Sequence, residues 1–271
     1  MRIAIPPELD LRQIEESGQC FRWRRIARGE YLVPAFGRLL HLMQSAGELE
    51  LDCTEAEYRE LWSPYLDMER DYAALCASIP ATDRFLTAAA ASQKGIRILN
   101  QDSWETLVTF TLSQRKNIPA IKKSVEAICQ RTGRVIGSFR GESICAFPSA
   151  EELSALSIAE LQSCSLGYRA PYVWDTARRF TLGVESMERL AALPDEELYR
   201  ALCELKGVGK KIALCTMLFG FGRSDAFPVD VWMDRMLADE YPGGFDHEYY
   251  RPYNGIMQQY LFAHYRTLHG K

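Results

Sequence analysis

Leu205-Lys206-Gly207-Val208-Gly209-Lys210-Lys211-Ile212-Ala213 is the most informative stretch of the chain. A predicted helix beginning near Pro194-Asp195 precedes it, and a second apolar helical run follows it to Phe221. Two glycines permit positive φ and leave backbone amides uncovered. The stretch therefore predicts a helix, a tight turn and a second helix, whose turn and N-terminus can bind a phosphate. The candidate phosphate contacts are Gly207, Val208, Gly209 and Lys210.

The interpretation of this turn has an ordinary alternative, because a glycine-x-glycine sequence is often only a turn. The flanking helices and lysines favour the binding interpretation. Lys211 falls in the first turn of the second helix, where the helix dipole and Lys210 both disfavour an ammonium. A neutral amine there is a nucleophile that can form a Schiff base. Position alone leaves open a second alternative, a solvated lysine.

A possible partner for this lysine is Asp230, which follows Lys211 by nineteen residues in the segment Pro228-Val229-Asp230. An aspartate at such a place is typical of a helix N-cap. A carboxylate held by backbone amides stays ionised, and it can also stabilise positive charge that develops on a nearby sugar. The two roles are compatible.

The composition indicates a globular protein of one or two domains, with 271 residues, 47% hydrophobic and 25% charged. The first residues lack the features of a signal peptide, and no long apolar run is present, so we expect a soluble cytoplasmic protein without a membrane partner. The cysteines are scattered without a C-x-x-C pair, which argues against a zinc site and against a disulfide framework. We therefore expect reduced thiols and no metal.

The net charge of −4 argues against a nucleic-acid partner if it is taken alone. The charge is unevenly distributed, however. Nine acids lie between residues 48 and 71, whereas two short stretches are basic and free of acids. The basic residues of these stretches are Arg115, Lys116, Lys122, Lys123, Lys206, Lys210 and Lys211.

The first third of the chain shows strand-like alternation, most clearly where Leu49, Leu51 and Cys53 alternate with acidic residues. Similar runs occur at Cys20 to Arg24, Tyr31 to Phe36 and Arg38 to Met43, separated by glycine turns. The remainder has helical spacing, with capping boxes at Ser149 to Glu152 and Ser157 to Glu160. We predict an α+β fold, with an antiparallel sheet domain over residues 1–80 and an all-helical domain over 81–271.

The glycine hairpin, Lys211 and Pro228-Val229-Asp230 together resemble the helix-hairpin-helix (HhH-GPD) DNA glycosylase superfamily. The lysine resembles that of its bifunctional branches, the 8-oxoguanine glycosylases and the endonuclease III type. The latter carry a C-terminal iron–sulfur cluster held by four cysteines, whereas the last cysteine here is Cys215. The resemblance therefore favours the 8-oxoguanine branch.

Further segments that resemble this branch are Ser17 to Arg24, Leu166 to Ala170, and Gln258 with Phe262. The resemblance implies that the Gly18 carbonyl accepts the N7 hydrogen, which 8-oxoguanine has and guanine lacks. It further implies that Gln258 recognises the edge of the flipped base, with Phe262 and Cys215 on its two faces. Without the resemblance, a surface glutamine, a core phenylalanine and a core cysteine are the simpler interpretations.

Several residues of the resembling segments are expected to contact DNA. Tyr168 and Arg169 resemble the wedge and the arginine that fill the space left by the flipped base. The segment from Ser113 to Ala120 departs from the animal and fungal pattern, because Arg115 replaces an asparagine and Ala120 replaces an arginine. Asn117 is retained, and Trp232 stands where a histidine is usual. A strict preference for cytosine opposite the lesion is therefore in doubt.

The resemblance implies a bifunctional DNA glycosylase and AP lyase that excises 8-oxoguanine from duplex DNA without a metal or organic cofactor. Lys211 attacks C1′, Asp230 supports the charge, and β-elimination follows. The alternatives are a glycosylase for alkylated or other oxidised bases, and a hairpin module that binds DNA without chemistry. We expect a monomer.

Overall fold

Apolar side chains on alternate positions place one face of a five-stranded antiparallel sheet against the interior. The computed structural model, which describes residues 1–270, pairs Leu42 with Leu51, and both side chains are buried. Trp62 and Tyr65, from the helical segment after the sheet, complete its core. The strands, in the spatial order β1-β5-β4-β3-β2, are β1 (Arg2–Ala4), β2 (Arg24–Ala27), β3 (Glu30–Ala35), β4 (Arg38–Ser45) and β5 (Glu48–Leu51).

The strand predicted at Cys20 to Arg24 was misplaced, because pairing begins only at Arg24. The residues before it cross from one core to the other. Cys20 and Trp23 pack in the core beneath the sheet, whereas Phe21 packs in the core of the helical part. The four residues from Cys20 to Trp23 are all buried, so the apolar residues of this segment reflect contact with two cores and not strand pairing.

The chain after the sheet is mainly helical, as predicted. Thr54 begins this part with a capping box to Glu57, and a π-helical turn, Tyr58–Trp62, links the first two helices. With the short helix before β2, the helices of the N-terminal half are α1 (Leu11–Glu16), α2 (Glu55–Glu57), α3 (Ser63–Tyr65), α4 (Tyr72–Ala77), α5 (Arg84–Ser92), α6 (Ser103–Leu112) and α7 (Ile118–Thr132).

The C-terminal half contains the helix-turn-helix expected from its sequence. Both predicted capping boxes, at Ser149 and Ser157, are present. The helices are α8 (Ala150–Ser154), α9 (Ile158–Leu161), α10 (Ala170–Thr181), α11 (Met187–Ala191), α12 (Asp195–Cys203), α13 (Lys210–Gly220), α14 (Val231–Glu240), α15 (His247–Tyr250) and α16 (Asn254–His269).

One hairpin interrupts this helical part, so that the domain is mostly rather than entirely helical. It pairs β6 (Val135–Phe139) with β7 (Glu142–Cys145) and was not predicted. Its strands are short and partly exposed, which leaves little alternation to detect in the sequence.

The sheet and the helices meet at a tightly packed boundary. Phe21 packs edge-on against Phe110 of α6, with ring centroids 5.3 Å apart. Beside it, Arg22 forms an almost fully buried ion pair with Glu105 at 3.3 Å. None of the helices in residues 1–270 has the length and apolar character needed to cross a membrane.

Candidate active site

The turn between α12 and α13 has the geometry that its glycines predict. Gly207 has a φ of +84°, and its Cα packs so closely on the ring of Tyr172 that a Cβ would overlap it. Val208 is buried and donates its amide to the Leu205 carbonyl at 3.0 Å. Gly209 is extended and faces open space at the start of α13. Gly209 and Lys210, the first residue of α13, are thus exposed at the end of the turn.

Lys211 lies on the inner side of this turn and is half-buried. Its Nζ donates a hydrogen bond to Ser113 Oγ at 3.4 Å and lies 5.2 Å from the centroid of the Phe110 ring. The neighbouring Lys210 is exposed. The two adjacent lysines therefore have different environments, and Lys211 is the one held against the interior.

Asp230 caps α14, as predicted. Its Oδ1 accepts hydrogen bonds from the amides of Trp232 at 2.9 Å and Met233 at 3.0 Å. Both bonds end on the same oxygen, and no hydrogen bond to Oδ2 is formed within residues 1–270. The cap thus orients the carboxylate and leaves one oxygen available.

Cys215, one helical turn after Lys211, connects these groups. It is buried, and this burial is the main cause that raises the pKa of its thiol to about 11. The positive charge of Lys211 acts to lower this pKa, and the negative charge of Asp230 acts to raise it. The three side chains thus lie in one electrostatic neighbourhood. At neutral pH the thiol is protonated and offers an apolar surface.

Two other predicted residues meet although they are far apart in sequence. Gly18 has a φ of +84°, and a Cβ placed on it would lie 3.7 Å from Cε1 of Phe262. That Cβ would also lie 3.5 Å from Cδ1 of Ile118. The structure therefore brings the segment between α1 and β2, the start of α7 and one face of α16 together.

Gln258 approaches the segment that carries Asp230. It is buried, and its Nε2 donates to the carbonyl of Pro228 at 3.1 Å. Gln258 and Phe262, four residues apart, lie on the same side of α16 as predicted.

The comparisons with known proteins agree with this arrangement. The model of the 8-oxoguanine DNA glycosylase N-terminal domain matches residues 2–107, and that of the HhH-GPD superfamily base excision DNA repair proteins matches 108–242. The solved structure of MBOgg1 in complex with a low-affinity DNA ligand is 32% identical, with 100% of this chain and 96% of that one covered, at a TM-score of 0.94. The chain belongs to the 8-oxoguanine DNA glycosylase family.

Two other members support this assignment. The 8-oxoguanine glycosylase/lyase of Clostridium acetobutylicum, solved with double-stranded DNA containing cytosine opposite 8-oxoG, is 31% identical, covering 96% of this chain and 93% of that one, at a TM-score of 0.91. The probable N-glycosylase/DNA lyase of Methanothermobacter thermautotrophicus is 27% identical over 98% of this chain and 96% of its own length.

The residues expected to contact DNA in this glycosylase family member are only partly on the surface. Tyr168 is 49% exposed, as a wedge requires. Arg115 is exposed and has a positive φ of 50°, and Asn117 is exposed and caps α7. Trp232 is half-buried, with its ring packed edge-on toward Tyr265.

Arg169 differs from its expected orientation. Its side chain is 5% exposed, and its guanidinium donates to the carbonyls of Leu166 and Gln114. In this structure it therefore links the loop before Tyr168 to the segment of Gln114 and does not extend into solvent. Packing reverses the orientation because the two carbonyls need donors that a solvent-exposed arginine would not provide.

The sequence analysis did not identify three residues that organise the site. Ser113 contacts Lys211, and Tyr172 covers Gly207. Gln114 donates to the Gly207 carbonyl at 3.1 Å and so joins the basic segment to the hairpin. The only local signal for Ser113 and Gln114 was their position just before Arg115.

Proposed function

We propose that this chain is a bifunctional DNA glycosylase and AP lyase that excises 8-oxoguanine from duplex DNA. The observation that carries the proposal is the arrangement around Lys211. Its amine is held inward at the start of α13 against Ser113 and the Phe110 ring, one helical turn before the buried Cys215, in a chain whose relatives include an 8-oxoguanine glycosylase/lyase.

The chemistry begins with the Lys211 amine, in its neutral form, attacking C1′ of the damaged nucleotide. A bond forms between Nζ and C1′ as the glycosidic bond breaks, and the base leaves with the electron pair of that bond. The carboxylate of Asp230 stabilises the positive charge that develops at C1′. Opening of the sugar ring then gives a Schiff base, whose formation acidifies C2′ and permits β-elimination of the 3′ phosphate.

Recognition of the base is assigned to four residues. The Gly18 carbonyl accepts the N7 hydrogen of 8-oxoguanine, and Gln258 recognises the Watson–Crick edge. Phe262 and Cys215 contact the two faces of the base. The proximity of Gly18 to Phe262, and the position of Cys215 beside Lys211, support one pocket for all four.

Binding of the duplex is assigned to the exposed side of the same region. The hairpin from Gly207 to Lys210 binds a phosphate through its uncovered amides. Tyr168 replaces the stacking of the flipped base, while Arg115 and Asn117 contact the opposite strand. Trp232 contacts a phosphate near Asp230. Arg169 contacts the opposite strand only if its hydrogen bonds to the carbonyls of Leu166 and Gln114 are broken.

The preference for the opposite base is proposed to be relaxed. The specific observation is that Ala120, in the first turn of α7, has no side chain that can hydrogen-bond a cytosine. Arg115 can contact phosphates or bases, but it is a donor only and lacks the acceptor that an asparagine would provide.

The domain limits and the location are also proposals. We place the sheet domain at residues 1–80 and the helical domain at 81–271, supported by the packing of Leu86 and most later buried residues in the helical core. Tyr72 and Ile79 also pack in that core, and Leu99 packs beneath the sheet, so side chains from each part cross this limit. A DNA substrate and a chain without membrane-spanning helices in residues 1–270 fit a cytoplasmic protein that associates with the nucleoid in a prokaryote.

Borohydride trapping tests the proposal. A duplex with one 8-oxoguanine opposite cytosine is incubated with wild type, Lys211→Gln or Lys210→Gln, and an undamaged duplex serves as the control. We expect a covalent adduct from wild type on damaged DNA and none from Lys211→Gln. Lys210→Gln should still form the adduct but require more protein, because it loses a phosphate contact.

Two outcomes would contradict the proposal. Base release by wild type without an adduct would mean that Lys211 is not the nucleophile. No release and no adduct, at concentrations where the duplex is bound, would favour a different lesion or a DNA-binding module.

A further inference from the structure

Two adjacent glutamines of α16 are buried and form a chain of hydrogen bonds. Gln258 and Gln259 are each 4% exposed. The Nε2 of Gln259 donates to Oε1 of Gln258 at 3.1 Å, and the Nε2 of Gln258 donates to the Pro228 carbonyl at 3.1 Å. The chain of bonds therefore runs in one direction, from Gln259 through Gln258 to the segment that carries Asp230.

The direction of these bonds fixes the orientation of the Gln258 amide. The Pro228 carbonyl can only accept, so it requires the NH₂ side of the amide. Turning the Gln258 amide by half a rotation would set two oxygens against each other at Pro228 and two NH₂ groups against each other at Gln259. The Pro228 carbonyl disfavours the turned orientation, and the hydrogen bond from Gln259 adds to this preference because it meets the Gln258 oxygen in the observed orientation.

The fixed amide retains one N–H and one oxygen lone pair for a ligand. A guanine-type base presents an acceptor at O6 and a donor at N1, whereas an adenine-type base presents the opposite order. An amide of fixed orientation can match only one of these orders. An amide free to turn could match both.

We propose that Gln259 is a positioning residue that holds the Gln258 amide in the orientation that selects a guanine-type over an adenine-type 8-oxopurine. The inference rests on the proposed function, in which Gln258 recognises the flipped base. Gln259 acts through Gln258 and makes no contact with the base.

The burial of Gln259 gives independent support. Its Oε1 is buried and finds no hydrogen-bond partner in the part of the chain described by the structure. An unsatisfied amide oxygen is costly, and a leucine or methionine of similar volume would fill the site without that cost. A role for the NH₂ group accounts for the presence of a glutamine here.

The test compares wild type with Gln259→Leu and Gln259→Met under single-turnover conditions. Three duplexes are used, containing 8-oxoguanine, 8-oxoadenine or a preformed abasic site. Met257→Leu, a conservative change at a buried neighbour in the same helix, is the matched control. Cleavage at the abasic site uses the Lys211 chemistry without base recognition, so it also reports whether each variant is folded.

We expect both Gln259 variants to excise 8-oxoguanine more slowly, by roughly 3- to 10-fold for one lost hydrogen bond. Their preference for 8-oxoguanine over 8-oxoadenine should fall, and their cleavage of the abasic site should equal that of Met257→Leu. Equal losses on all three duplexes, or an unchanged preference, would overturn the inference. Failure of wild type itself to excise 8-oxoguanine would instead overturn the proposed function and this inference with it.

Discussion

The Asp230 carboxylate accepts the amide hydrogen of Trp232 through Oδ1 at 2.9 Å and thereby caps α14. The same oxygen accepts from Met233, so that Oδ1 performs the capping and Oδ2 forms no hydrogen bond within residues 1–270. In the proposed mechanism the carboxylate also stabilises charge on the substrate, and substitutions can separate the two roles.

Replacing Asp230 with asparagine should remove the charge but keep the cap, because asparagine is an equally good N-cap. We expect the melting temperature to be nearly unchanged and single-turnover excision of 8-oxoguanine to fall by roughly 10²- to 10³-fold, as for other lost electrostatic contributions. Asp230→Ala should in addition lower the free energy of unfolding by about 0.5–2 kcal/mol. Wild-type excision rates in Asp230→Asn would contradict a role for the charge.

The two glycines of the hairpin should respond differently to alanine. Gly207→Ala combines a φ of +84° with overlap on the Tyr172 ring, so the free energy of unfolding should fall by about 1–3 kcal/mol. Gly209→Ala has an ordinary φ and open space around it, and should change stability by less than about 1 kcal/mol.

Denaturant unfolding of both variants, together with titration of a duplex, measures this contrast. Gly209→Ala should bind the duplex more weakly despite its stability, because the added methyl group obstructs the amides that face the phosphate. Equal stability of the two variants would show that the turn can relax around Gly207. Undiminished binding by Gly209→Ala would argue against a phosphate at this turn.

Opposite-base selectivity should be adjustable at two positions. The double variant Arg115→Asn/Ala120→Arg tests this. Asparagine tolerates the positive φ of position 115, and the arginine supplies a guanidinium that can form a bidentate hydrogen bond to a base. We expect excision opposite cytosine to become favoured over excision opposite adenine by about tenfold relative to wild type.

A variant with Arg115→Asn and Ala120→Lys is the matched control, since a lysine supplies the charge without the planar fork of an arginine. Rates opposite all four bases are measured for each protein. Equal selectivity in the arginine and lysine variants would mean that charge alone is responsible. A wild type already strict for cytosine would contradict the proposed relaxation.

The buried Arg22–Glu105 pair predicts how stability varies with pH. Burial raises the pKa of Glu105 to about 7 from 4.5, despite the opposing charge of Arg22. The folded state therefore keeps a proton that the unfolded chain has lost. The stabilisation from this proton is fully present below pH 4.5 and is lost as the pH rises through about 7.

Urea unfolding between pH 4.5 and 8 measures this dependence, and Glu105→Gln is the comparison. Glutamine resembles the protonated carboxyl, so the variant should be about as stable as wild type near pH 4.5. Its stability should then change less with pH up to pH 8, because it has no proton to lose at this site. Parallel curves for the two proteins would mean that Glu105 titrates at its ordinary pKa.

The sequence determined the elements whose signals are local. Glycine spacing and flanking apolar periodicity located the turn at Gly207, and the Ser149 and Ser157 caps were recognised from pairs of residues three apart. The resemblance assigned Lys211 and Asp230 because both lie in short, characteristic segments. The strand at Cys20 and the unpredicted β6–β7 hairpin are the exceptions. Burial around Cys20 follows from neighbours remote in sequence, whereas the short, partly exposed strands of the hairpin show little alternation.

Which distant residues are in contact, and how long side chains are oriented, depends on the tertiary packing. Gly18, Ile118 and Phe262 come from three separate segments, so their proximity depends on how the sheet packs against α7 and α16. The sequence predicts Arg169 as a DNA-facing cation, yet hydrogen bonds to the carbonyls of Leu166 and Gln114 hold it inside. A residue's local conformation is largely encoded by its neighbours in the chain, whereas the partners of its polar atoms depend on the packing of the whole fold.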